Sequence, residues 1–185
     1  MSEKVEGKKS LVDILSTTKA KYIVGTVLYT GLGITLPRIF HLIAGASAGA
    51  TFLPMHIAVL LAALTFGVLS GSIVAGASVL FSYLLTGMPA VARLPYMMIE
   101  LVIYAVLLGL FNKKFNSYIS LIATMILGRV LYAGVLFTAV NLFGLNAYGT
   151  PILESVKLGI PGLIIQLLFV PVIAYGIKKG IHLDD

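Results

Sequence analysis

FLPMHIAVLLAALTFGVLSGSIVAGASVLFSYLL, residues 52–85, carries no Asp, Glu, Lys or Arg. Its apolar residues run on without the every-second-residue alternation of a barrel strand, so the segment reads as helix. A membrane helix needs about 20 mostly apolar residues. One span starts near Phe52-Leu-Pro-Met-His56 and reaches about Val68; the next runs from about Gly71 to Leu85. The first of the two is short, and its partner begins almost at once.

Four further stretches flank this pair. Upstream, about Tyr22 to Ala44 is interrupted by Pro37 and Arg38 and is followed by a small-residue loop, Gly45 to Thr51. Downstream, Thr86-Gly-Met-Pro89 leads through Arg93 to a span from about Tyr96 to Phe111. After the polar turn Asn112-Lys-Lys-Phe-Asn116, another span covers about Tyr118 to Phe143 and contains Gly128-Arg129. A loop from Gly144 to Lys157 precedes the last, about Leu158 to Ile177, which holds Pro161 and Pro171 and ends in Lys178-Lys179. The expected fold is an all-α membrane protein, a six-transmembrane-helix bundle over 22–178. A basic segment, 1–21, precedes it and a short tail, 179–185, follows.

Composition agrees. Of 185 residues, 59% are apolar and 11% charged, against about a quarter charged in soluble domains. A chain this apolar has too few charges to cover a core in water, and disorder is excluded more strongly still. Residues 1–21 are polar and carry Glu3, Glu6 and Asp13 among lysines, so the first apolar stretch reads as a retained span rather than a signal peptide. With no cysteine, disulfides, thiolate metal sites and cysteine nucleophiles are excluded.

The net charge is +6, and nine of the ten lysines fall on one side. Six spans put both termini on one side with the turns at 68–70 and 112–116. That side collects Lys4, Lys8, Lys9, Lys19, Lys21, Lys113, Lys114, Lys178 and Lys179. The other side has Arg93 and Lys157, with Arg38 near its surface. Both termini are therefore expected in the cytoplasm, and the loops at 45–51, 86–95 and 144–157 outside. A basic flank on an apolar body fits this better than a nucleic-acid-binding face.

Ionisable groups inside spans are costly and need a reason. Glu100 lies about one turn inside the outer end of its span, and Arg129 near the middle of the next. They could pair as an internal salt bridge that fixes packing, or line a polar pocket that binds solute. Tyr104 and Tyr132 follow them by four and three positions, so each shares a helix face with its charge. Aromatic rings beside a charge suit a flat polar ligand, and buried tyrosines equally need a hydrogen-bond partner. His56 opens the second span and His41 ends the first; two lone histidines are a weak metal signal, and no metal site is expected. Asn141 and Gln166 could bond a solute or join helices. Small residues at Gly25, Gly31 and Gly33 mark the first span as a packing or docking surface. No Gly-x-Ser-x-Gly, His-Glu-x-x-His or Gly-x-x-x-x-Gly-Lys-[Ser/Thr] pattern occurs, so a transporter of this size would draw its energy from an ion gradient or a partner ATPase.

Leu36-Pro-Arg-Ile-Phe-His41, Phe52-Leu-Pro-Met-His56, Thr86-Gly-Met-Pro89, Met97-Met-Ile-Glu100 with Tyr104, and Gly128-Arg129 occur in that order. In these strings, the six spans and the basic N-terminus, the chain resembles the substrate-binding S components of energy-coupling factor (ECF) transporters. The resemblance implies a plasma-membrane protein that captures a small water-soluble vitamin or precursor outside the cell. It would dock on a transmembrane coupling subunit bound to two cytoplasmic ATPases, which use ATP; this chain would hold no cofactor and catalyse nothing. The Ala-x-x-x-Ala docking surface of such proteins is half kept, at Val27 and Gly31, and Ala58 stands where relatives often have proline. Arg129 would suit a carboxylate, as in pantothenate; Glu100 with tyrosines would suit an amine or ring nitrogen. A stand-alone ion-coupled carrier or channel is the first alternative, and an intramembrane enzyme using Glu100, His56 or Arg129 the second.

Overall fold

The computed structural model describes residues 18–45, 48–144 and 152–181. The expected N-terminal segment as far as residue 17, half of the 144–157 loop and the end of the tail lie outside the described residues. The order is α1 (Thr18–Ala44), α2 (Ala48–Phe52), α3 (Pro54–Thr86), a 3₁₀ turn (Val91–Arg93), α4 (Leu94–Phe111), α5 (Ser117–Phe143) and α6 (Ile152–Gly180). No strand occurs among the described residues. Five helical stretches are long and apolar enough to cross a membrane, with mean hydropathy from 1.4 to 2.3.

The longest of them is bent back on itself. Gly67 has φ 83° and ψ −168° inside α3, a backbone conformation open essentially to glycine alone. Eight residues of unbroken helix would separate Ala63 from Gly71 by about 12 Å. Instead, a Cβ at Gly71 would meet the Ala63 Cα at 3.1 Å. Ala58 and Ser78 likewise both face Gly33 of α1. The two limbs, 54–66 and 68–86, therefore lie side by side. The sequence placed this turn at 68–70; the conformation only glycine adopts puts the reversal at Gly67.

The first limb is the centre of the bundle. Residues 54–56 and 58–66 are all buried, which explains why it is apolar on every side rather than along one stripe. α1 and α4 pack mainly on α3, and α6 packs on α2 and α3. At about 1.5 Å per residue, 13 residues reach about 20 Å, short of the ~30 Å hydrocarbon layer. Its outer neighbours are longer, so a hollow remains above its start. The outer surface is apolar: Ile23, Leu42, Leu84, Phe137 and Leu168 are all at least 60% exposed, unlike a soluble surface and suited to lipid.

Two local differences from the sequence reading concern loops. Residues 48–51, expected as loop, form with Phe52 the short helix α2, its Ala48 buried at 2% exposure. α6 begins at Ile152 rather than near Leu158, and continues through Pro161 and Pro171, as membrane helices with neighbouring support tolerate.

Polar ties fix the end opposite the hollow. Lys21 Nζ donates to the Ile181 carbonyl at 2.7 Å, which brings the start of α1 beside the end of α6. Asn112 Nδ2 donates to the Leu64 carbonyl at 3.4 Å, so the end of α4 meets the reversal of α3. Asn116 caps α5 by accepting from the Ile119 amide at 2.8 Å. This end gathers Lys21, Lys113, Lys114, Lys178 and Lys179.

Candidate solute-binding site

At the other end, a cavity of about 490 Å³ occupies the hollow above the short central limb. α1 contributes Pro37, Arg38 and His41, and the α2–α3 junction Leu53 to His56. The second limb of α3 adds Ser82 and Thr86, and α5 adds Tyr132 and Leu136. From the 3₁₀ turn and α4 come Arg93, Tyr96, Met97 and Glu100, at the i, i+3, i+4, i+7 spacing of one helix face. Few polar groups on a mostly apolar wall is the usual make-up of a small-molecule site.

The carboxylate on that wall is engaged. Arg129 Nη1 donates to Glu100 Oε1 at 2.7 Å, with the side chains 11% and 12% exposed. His56 Nε2 stands 3.7 Å from the same oxygen, beyond hydrogen-bond reach. His56 is 4% exposed, and its Nε2 has no hydrogen-bond partner among the described residues.

The residues singled out from sequence separate into three groups. His56, Glu100 and Tyr132 border the cavity. Arg129 and Tyr104 stand behind it and do not line it. Tyr104 is 1% exposed, set edge-to-face against His56 at 5.4 Å and with the Arg129 guanidinium 6.0 Å from its ring. Gly128 makes this possible, since a Cβ there would come within 2.9 Å of the Tyr104 ring. Asn141 and Gln166 are elsewhere. Asn141 is exposed and its Nδ2 donates to Phe137 of its own helix at 2.8 Å. Nine residues of helix turn it about 180° from Tyr132, so outer depth alone did not bring it to the cavity. Gln166 is fully buried and its Nε2 donates to the Leu53 carbonyl at 3.4 Å. It thereby ties α6 to a residue held at φ 49° at the start of α3.

Arg38 and Arg93 were not among the residues expected at the site. Both carried a signal: Arg38 interrupts an apolar span, and Arg93 precedes Glu100 by two helical turns. His41 also borders the cavity, its Nδ1 lying 3.3 Å from the Gly45 carbonyl oxygen. No group of three His, Cys, Asp or Glu capable of holding a metal occurs among the described residues. Val27 is 65% exposed on the outside of α1, and Gly31 has open space where a Cβ would be. No family model, curated protein or solved structure matches the chain.

Proposed function

We propose that the chain is the substrate-binding S component of an ECF-type importer in the plasma membrane. It crosses the bilayer six times, the two limbs of α3 counting separately, with both termini cytoplasmic. It captures a small water-soluble vitamin or precursor from outside. A transmembrane coupling subunit and two ATPases deliver that solute inward, and this chain performs no chemistry of its own. The outer face of α1 around Val27 and Gly31 meets the coupling subunit.

The observation that carries the reading is the position of the cavity. It lies at the end of the bundle remote from Lys21, Lys113, Lys114, Lys178 and Lys179, a cluster that favours the cytoplasmic side. It is bounded below by the short central limb, so it is a bowl for capture rather than a path through the membrane. The resemblance in sequence points the same way.

Reconstitution tests the proposal. Purified protein in liposomes should bind solute from outside and accumulate none. Accumulation should appear when the coupling subunit and ATPases are added with ATP. Accumulation by the chain alone, driven by an ion gradient, would show a stand-alone carrier. Chemical change of the solute would show an enzyme.

A further inference from the structure

The charge around the cavity says more than its size. Glu100 is the one acidic residue bordering it among the described residues, and its carboxylate already accepts from Arg129. Arg38 and Arg93 border the same space from opposite elements, α1 and the turn before α4. Glu100, the acidic side chain the structure describes, pairs with neither of them.

Backbone dipoles add to this. The first turns of α3 and α4, at Pro54–His56 and Leu94–Met97, both reach the cavity. Neither helix has a side-chain cap, since Leu53 and Arg93 occupy the cap positions. Helix starts carry partial positive charge, which favours anions, while the His56 and Leu94 amides donate to the Leu53 and Val91 carbonyls and Pro54 and Pro95 carry none. His56 supplies a further, independent sign of a ligand. Its buried Nε2 makes no hydrogen bond at the cavity wall and stands 3.7 Å from Glu100 Oε1, and buried polar atoms are rarely left without a hydrogen bond.

We infer that the solute is an organic anion, with a carboxylate or phosphate held between Arg38, Arg93 and His56 and an apolar body against Met97, Tyr96 and Tyr132. This rests on the proposed solute-binding role and sharpens it. The anion is met by the two arginines that line the cavity. Arg129, which a reading of sequence would choose, instead neutralises Glu100 behind the wall.

The test is mass spectrometry of the solute released from detergent-purified protein, followed by thermal-shift titration of the emptied protein. Matched probes separate the chemistries: pantothenate against pantothenol for a carboxylate, pyridoxine 5′-phosphate against pyridoxine for a phosphate, and thiamine for a cation. The released solute should be anionic at neutral pH, and an anionic probe should outbind its uncharged partner by about ten- to a hundredfold. Arg38→Gln/Arg93→Gln alters two exposed side chains and should remove that preference without moving the melting temperature of the empty protein. A neutral or cationic solute, an uncharged or cationic probe that binds as tightly, or a preference that survives the double substitution would overturn the inference while leaving solute binding intact. No released solute and no probe bound would instead contradict the solute-binding role itself.

Discussion

Arg129 of α5 and Glu100 of α4 join across 2.7 Å at the edge of a cavity that only Glu100 borders. The pair is therefore both a helix-to-helix link and part of a wall. In a low-dielectric interior, two opposite charges in contact cost far less than either alone. That asymmetry separates structure from binding in the following substitutions.

Glu100→Ala removes the carboxylate facing a largely buried guanidinium and should destabilise the protein by about 3–5 kcal/mol. Glu100→Gln/Arg129→Gln removes both charges and should regain part of that loss. Thermal unfolding in detergent measures both. Single and double variants that all melt with the wild type would mean that the pair does not hold α4 to α5.

Gly67→Ala places a side chain at a positive φ where the two limbs of α3 reverse. The strain should cost about 1–3 kcal/mol, seen as a lower melting temperature. Gly76→Ala, in the second limb with open space at its Cβ, is the control and should be neutral or slightly stabilising. Equal behaviour of the two would contradict the reversal.

The absence of cysteine allows a clean test of orientation. Met88 is exposed at the cavity end and Lys114 at the lysine-rich end. In intact cells, an impermeant maleimide should label Met88→Cys and spare Lys114→Cys until the membrane is opened. The reverse pattern would invert the topology.

Gly31→Leu should fit without clash, since nothing lies within 4 Å of its Cβ position. Solute binding by the isolated chain should be unchanged. Co-purification with a coupling subunit should fall, because a bulky side chain prevents close helix approach. Loss of binding with docking intact would place α1's outer face in the pocket's support instead.

The helical fold was legible because unbroken apolar runs admit few alternatives in lipid. Loop lysines marked one end of the bundle in the same way. The site was legible only in part. A charge inside a span announces itself, so Glu100 and Arg129 stood out, but their contact depends on how α4 and α5 turn against each other. Asn141 shows the limit most clearly: its depth is right and its helical phase is wrong. Gln166 found the Leu53 carbonyl across 113 residues, a pairing no local pattern contains. Arg38 and Arg93 were visible as charges near the outer surface, but only the packing of α1 beside the turn before α4 makes them neighbours of one cavity.

The central claim is that this cavity holds one small solute. Native mass spectrometry of the purified protein measures that directly, using wild type beside Ala90→Trp, an exposed cavity-lining position filled by a large ring. The wild-type chain should carry one small molecule, released on activation. Ala90→Trp should melt with the wild type yet carry little or none. A wild-type chain bare at every stage, or a blocked variant that retains its solute in full, would contradict the account.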